Sequence, residues 1–386
     1  VLVRARSLEA QGRDVIHLEI GEPDFDSPAS VVAAGQAALA EGLTHYGPAS
    51  GLPELRAAIA GWLGRTRGVQ VDPARVIVTP GAKPVIFYTA LALLEPGDEA
   101  IVPDPGFPIY ESMVRFTGAT PVLWPLREER DFRPDPEELA RLLTPRTRLL
   151  ILNSPHNPTG GVLTGADLDA ITELVRDRDL VVLSDEIYGQ MLYEGEHESI
   201  ATRPGLLDKT VLLDGFSKTF AMTGWRIGFG VFPEALVPHV ERLVVNSVSC
   251  TPAFTQQAAL AALRDGWPEA AAMLTEFRAR RDYLVPALNA APGIRCRTPA
   301  GAFYAFPNVS DLGITAEAFA DRLLQEHGVA TLAGTAFGPG GAGHLRLSYA
   351  NSPENLQRAV ERIAACAAVQ ATPSPDPSPA ARWRGD

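Results

Sequence analysis

Asp214-Gly-Phe-Ser-Lys218-Thr-Phe-Ala-Met-Thr-Gly-Trp-Arg226-Ile-Gly228 is a lysine-bearing loop in a chain that hardly uses lysine. Of 34 Lys and Arg residues only Lys83, Lys209 and Lys218 are lysines, so each position invites a chemical reason. Lys218 follows the apolar run Val211-Leu212-Leu213, which reads as a buried strand, and stands among small residues with Arg226 downstream. An amine held near a guanidinium in a partly dry pocket releases its proton more readily and becomes able to form a Schiff base. A lone Ser-Lys pair would equally suit a surface lysine beside a core strand. The neighbouring segments decide between the two.

From about residue 46 to 235 short apolar runs alternate with helical periodicity. Val76-Ile77-Val78, Ala100-Ile101-Val102, Leu149-Leu150-Ile151-Leu152, Leu180-Val181-Val182-Leu183 and Val211-Leu212-Leu213 read as buried strands, with helix-like segments at Val85–Leu94 and Ala166–Val175 between them. Continuous apolar strands alternating with helices indicate an α/β unit with a mostly parallel sheet covered on both faces. Ligands of such sheets bind at the carboxyl ends of the strands. Polar and turn residues cluster there: Thr79-Pro-Gly81-Ala82-Lys83, Pro103-Asp-Pro-Gly-Phe107, Asn153-Ser-Pro-His156-Asn157-Pro-Thr-Gly160, Ser184-Asp185-Glu-Ile-Tyr188 and the Lys218 loop. One such cluster is an ordinary turn or helix cap. Five at the same edge of one sheet read as a built pocket.

A length of 386 residues suggests roughly two or three domain-sized units. The net charge of −12 and the lack of a dense basic run argue against nucleic acid or an anionic membrane as partner. No stretch approaches the roughly twenty apolar residues that cross a bilayer. Cys250, Cys296 and Cys366 are odd in number and widely spaced, with no metal-ligand interval. That pattern, with no signal-peptide h-region, fits a reduced cytoplasmic setting. Beyond the sheet, the long helical stretch Glu269–Asn289 leads to a second unit with strands at Ala302–Phe306 and His344–Ser348 and helices at Ala316–His327 and Pro353–Ala368. The expected organisation is an N-terminal segment (1–45), a large unit (46–281), a small C-terminal unit (282–369) and a Pro-rich disordered tail (370–386).

In this order the motifs resemble the fold-type-I pyridoxal-phosphate enzymes, specifically the class I/II aminotransferases of the aspartate aminotransferase type. The resemblance runs from about Gly21 to Ala368. It rests on Gly21-Glu-Pro-Asp-Phe, Tyr46-Gly-Pro-Ala-Ser-Gly-Leu-Pro-Glu-Leu-Arg56, Asn157-Pro-Thr-Gly160, Asp185-Glu-Ile-Tyr188, Ser217-Lys218 with Arg226, and Arg346-Leu-Ser. It implies a large domain with a seven-stranded, mostly parallel sheet sandwiched by helices, a smaller α+β domain, pyridoxal 5′-phosphate as cofactor, and a homodimer acting on amino acids and 2-oxo acids. By that resemblance Lys218 carries the internal aldimine and then moves the proton between Cα and C4′. Asp185 faces the pyridine nitrogen and favours its protonated form. Asn157 and Tyr188 hydrogen-bond the phenolic oxygen, which favours the oxyanion and lowers the aldimine pKa.

The phosphate is expected on the backbone N–H groups of Gly81 and Ala82 at a helix start, with Arg226 and Ser217 as side-chain partners. Gly215 stands where the family often has a further serine, so one usual phosphate ligand is missing. Tyr46 resembles the tyrosine that reaches the neighbouring subunit's phosphate, and Phe107 the ring that stacks on the pyridine. Arg346, with the Gly21 backbone, is expected to clamp the substrate α-carboxylate. Lys83 resembles a lysine beside the cofactor that, in one branch, meets the distal carboxylate of an acidic substrate, which points to aspartate or glutamate as donor. The same residue set also serves elimination and replacement enzymes of the aminocyclopropane-carboxylate synthase type. A regulator built on this fold is a third reading; it needs a DNA-binding module ahead of the pattern, and the acidic chain starts its motifs by residue 21.

Overall fold

Apolar runs become strands wherever both faces find helices to cover them. The computed structural model describes residues 1–371. Its strands in chain order are β1 (Ile16–His17), β2 (Val76–Thr79), β3 (Glu99–Asp104), β4 (Thr120–Pro125), β5 (Thr147–Asn153), β6 (Val181–Asp185), β7 (Thr210–Gly215), β8 (Gly228–Val231), β9 (Tyr304–Ala305), β10 (Val329–Ala330), β11 (Leu332–Ala333) and β12 (Leu345–Ser348). Seven of them form one sheet in the order β2-β8-β7-β6-β5-β3-β4. All neighbours are parallel except β8, which runs antiparallel to both β2 and β7.

Side chains alternate between the two faces although both are apolar. Ala100, Val102, Leu149, Ile151 and Leu183 pack with the helices Lys83–Leu93 and Ile109–Phe116. Ile101, Leu150, Leu152 and Val182 pack on the opposite side with Leu139, Leu168, Ile171 and Val175. Two sheet strands depart from a plain apolar run, β4 because proline brackets its Val122-Leu123-Trp124 and β8 because glycine interrupts it. β4 is an edge strand with Pro121 and Pro125 within it, and an edge tolerates proline because one side of the backbone needs no partner. β8 reads Gly-Phe-Gly-Val; a Cβ at Gly228 would lie 2.5 Å from the Ala82 nitrogen, so glycine is what lets β8 approach the loop after β2.

A 23-residue helix, Trp267–Asn289, runs past position 281 without a break. After it, β9, β11 and β12 form a three-stranded antiparallel sheet, and β1 pairs in parallel with β10. The segment Ala302–Phe306 keeps only two residues in strand pairing, Tyr304 and Ala305. The last helix runs from Pro353 to Ala371, with Leu356, Val360 and Ile363 buried. It thus extends two residues into the segment expected to be a disordered tail, and the rest of that segment lies outside the described residues.

Under the sheet edge sits a charge cluster. Arg67 ends the helix Pro53–Arg67 with its side chain fully buried. Its Nε lies 2.8 Å from Glu186 Oε2 and its Nη2 2.5 Å from Asp214 Oδ2. Glu186 also accepts from Ser184 Oγ at 2.9 Å, Ser199 Oγ at 2.6 Å and His197 Nε2 at 2.9 Å. One cation thereby ties the carboxyl ends of β6 and β7. Arg67→Met is expected to lose about 3–5 kcal/mol in urea unfolding at neutral pH, because two buried carboxylates are left uncompensated. Adding Glu186→Gln and Asp214→Asn should restore much of the loss; no loss in the single variant would refute the role of the pair.

Candidate active site

At the carboxyl ends of β3, β5, β6 and β7 opens a cavity of about 600 Å³. Its wall gathers Gly21, Ala82, Lys83, Phe107, Asn157, Asp185, Tyr188, Ser217, Lys218, Arg226 and Arg346 from seven separate segments. Two of the expected residues stand apart. Gly81 is not part of the wall but backs Arg226, and Tyr46 lies outside the cavity with 89% of its surface exposed.

Lys218 is buried deeply enough that desolvation lowers its pKa to about 8; Glu22 opposes this, while Arg346, Lys83 and Arg226 add to it. Its Nζ donates to the Gly21 carbonyl at 2.5 Å and lies 5.8 Å from the centre of the Phe303 ring. At neutral pH roughly a tenth of such an amine is uncharged and nucleophilic. Asp185 ends β6 at 4% exposure. It accepts from the Tyr110 hydroxyl at 2.6 Å and from the Ile187 N–H at 3.2 Å, and no cation among the described residues is paired with it. Burial pushes its pKa up to about 6 despite those two bonds.

Asn153, the last residue of β5, sets the next loop: its Oδ1 accepts from the Asn157 N–H at 2.9 Å and its Nδ2 donates to the Asp185 carbonyl at 3.0 Å. Arg346 on β12 donates to the Glu19 carbonyl and, at 3.5 Å, to Asn157 Oδ1. Its guanidinium lies over the rings of Tyr304 and Phe337, at 4.6 and 5.1 Å, while its buried Nε has no partner among the described residues. Lys83 Nζ stands 5.4 Å from the centre of the Phe107 ring. The Thr79 hydroxyl donates to the Gly81 carbonyl at 2.7 Å and pins the loop that leads into the helix Lys83–Leu93. Gly81 has φ +87°, and a Cβ there would come within 2.3 Å of Arg226 Nη2. A helix N-terminus beside a guanidinium is an anion site.

Sequence reasoning missed Tyr110, Asn153 and Tyr304 as site residues. Tyr110 had a signal in its position three residues after Phe107, on the same side of a helix start; its ring meets Phe107 edge-on at 5.8 Å. His156, which neighbours Asn157, turns away into the interior, where Nδ1 meets Thr159 Oγ1 at 2.8 Å and burial lowers its pKa to about 3. Among the described residues no group of three or more His, Cys, Asp or Glu is placed to hold a metal ion.

The donor set fits pyridoxal phosphate. A buried carboxylate without a cation suits a protonated ring nitrogen, an amine of lowered pKa suits the aldehyde, and the helix start with Arg226 suits the phosphate. The sequence pattern of the family described as aminotransferase class I and II matches residues 13–363. The chain is 44% identical over 365 residues to the arginine–pyruvate transaminase AruH of Pseudomonas aeruginosa, covering 95% of this chain and 93% of that one. It is 41% identical to an aspartate aminotransferase of Pyrococcus abyssi, covering 91% of each. Among solved structures, the aspartate aminotransferase of Thermus thermophilus with maleate superposes with a TM-score of 0.90 at 41% identity, covering 94% of each chain.

The Asp185 carboxyl has a testable thermodynamic signature. With its folded pKa near 6 and an unfolded value near 3.9, the folded chain binds more protons in between, so its stability falls as pH rises through that window. In cofactor-free protein Asp185→Asn is expected to gain about 1–3 kcal/mol at pH 8 and nothing at pH 3.5. Urea titrations at the two pH values check this, and a loss at pH 8 would contradict it.

Proposed function

The chain belongs to the class I and II aminotransferases, and from that premise we propose that it moves the amino group of an acidic L-amino acid to a 2-oxo acid in a ping-pong cycle, with Lys218 as the Schiff-base lysine. The protein is a pyridoxal-phosphate-dependent transaminase. The cofactor, when bound, supplies the electron sink that lets a Cα proton leave. The chain's own groups do the rest. Lys218 Nζ takes up and returns that proton, which its lowered pKa and flexible stem favour. Asp185 keeps the ring nitrogen protonated, and Tyr110 orients the carboxylate that does so. Tyr188 and Asn157 donate to the phenolic oxygen; Asn157 has Nδ2 for this because its Oδ1 faces Arg346.

Phe107 stacks on the ring, and Arg346, with the Gly21 backbone beside it, takes the α-carboxylate. Gly81, Ala82, Ser217 and Arg226 hold the phosphate. Tyr46 completes it from a second copy of the chain, so the working form is a homodimer; the high exposure of Tyr46 supports this. No helix of the described residues is long and apolar enough to cross a membrane, and we place the enzyme in the cytoplasm.

The observation that carries the acidic-donor reading is Lys83: a second cation in the wall that also holds Arg346 suits a substrate with two carboxylates. The Thermus relative solved with maleate, a dicarboxylate, supports it. A second reading, a donor with a cationic side chain, draws on Glu22 in the same wall and on the arginine–pyruvate relative.

Lys218→Ala is expected to bind cofactor without a borohydride-reducible link and to lose at least ~10²–10⁴-fold in turnover. Refolding it together with Tyr46→Ala should recover part of the activity, because one site of each mixed dimer has both residues; an active, reducible Lys218→Ala would defeat the assignment. For specificity, Lys83→Ala should lower kcat/KM for aspartate and glutamate about 10–100-fold and leave alanine unchanged. If wild-type protein instead prefers arginine and Glu22→Gln removes that preference, the second reading replaces the first.

A further inference from the structure

Tyr304 joins two parts of the site. Its hydroxyl lies 2.7 Å from that of Tyr188, and the two rings cross at 83° with centroids 5.7 Å apart. Both phenols are buried, at 1% and 4% exposure. Among the described residues Tyr188 is the hydrogen-bond partner recorded for the Tyr304 hydroxyl. Gly21 closes the other side: a Cβ there would approach the Tyr304 oxygen to 2.6 Å. The Arg346 guanidinium covers the face of the same ring at 4.6 Å.

A phenol has one proton to donate and lone pairs to accept another. Both rings line the cavity, but the Tyr304 oxygen is the more closed in, held against the Gly21 backbone at 1% exposure, so a free proton is better accommodated on Tyr188. If Tyr304 gives its proton to Tyr188, the Tyr188 O–H remains for the cavity that both rings line. The cation over the Tyr304 ring favours the same direction, since it draws electron density from the phenol and makes it the better donor. Asp185 and Arg346 are the charged groups that act on Tyr188 alongside it.

We propose that Tyr304 is a positioning residue that donates to Tyr188, aims the Tyr188 proton at the cofactor's phenolic oxygen and strengthens that donation. The inference rests on the transaminase reading above and on Lys218 as the Schiff-base lysine. Donation to the phenolic oxygen favours its anionic form and lowers the pKa of the neighbouring Schiff-base nitrogen. Weakening the donor therefore raises that pKa. Because the Tyr304 ring also backs Arg346, the donor that tunes the cofactor and the clamp that takes the substrate carboxylate share one support.

The test is a visible-absorbance pH titration of the cofactor-loaded enzyme, in wild type, Tyr304→Phe, Tyr188→Phe and the double variant. Tyr304→Phe keeps the ring and its packing against Arg346 and removes only the hydroxyl. Its titration midpoint is expected to rise by a few tenths of a pH unit, the size of one cooperative hydrogen bond. Tyr188→Phe should raise it further, and the double variant should match Tyr188→Phe alone, because the outer hydroxyl acts only through the inner one. A Tyr304→Phe midpoint equal to wild type, or shifts that add in the double variant, would overturn the proposal and leave the transaminase reading intact. Wild-type protein with no titrating visible band would overturn the Lys218 assignment and this inference with it.

Discussion

Arg67 is the constraint on which the catalytic geometry rests. It reaches from the end of a helix to two carboxylates that belong to the ends of adjacent strands, Glu186 beyond β6 and Asp214 within β7. Glu186 is the residue after Asp185, and Asp214 lies four residues before Lys218. The position of one cation therefore sets where an acid and an amine meet. Burial alone would disfavour each of these charges; together, with His197, Ser184 and Ser199 around Glu186, they hold one another. The arrangement is costly to break.

Above that base the cavity wall inverts the charge of the molecule. Lys83, Lys218, Arg226 and Arg346 face it, against Asp185 and Glu22, in a chain of net charge −12. A concave site with low-dielectric walls focuses such a local excess and draws anions inward. Phosphate and carboxylates are the anions this chemistry requires. The same positive charges, added to burial, keep Lys218 partly neutral, and burial with no cation paired to it among the described residues leaves the Asp185 carboxyl easily protonated. Two pKa values displaced toward neutrality from opposite directions are a common arrangement for acid–base work in one pocket.

The loops show why parts of the site are hidden in the sequence. Lys218, Asp185, Asn157 and Arg346 stand at motif positions after or within apolar runs, so their placement at one sheet edge follows from the parallel α/β pattern. Tyr304 and Tyr110 carry no such mark. Tyr304 reads as one more aromatic in Ala302–Phe306, and only the pairing of β9 with β12 brings its hydroxyl to Tyr188. Strands β4 and β8 escape the same reading because proline flanks the short run Val122-Leu123-Trp124 at a sheet edge and glycine interrupts β8 where two backbones nearly touch.

By itself the sequence determined the alternating α/β architecture, the sheet edge at which the polar loops converge, and the motif set that marks the cofactor family. These are local or periodic properties: strand runs of three or four apolar residues, turns of glycine and proline, a rare lysine after a strand. The tertiary structure alone decided which buried charges compensate one another, that among the described residues no cation pairs with Asp185 while cations crowd Lys218, and that the Tyr304 and Tyr188 hydroxyls meet. Those facts depend on distances of a few ångströms between segments tens to hundreds of residues apart. Electrostatic and hydrogen-bond energies vary steeply over such distances, and no one-dimensional pattern encodes them.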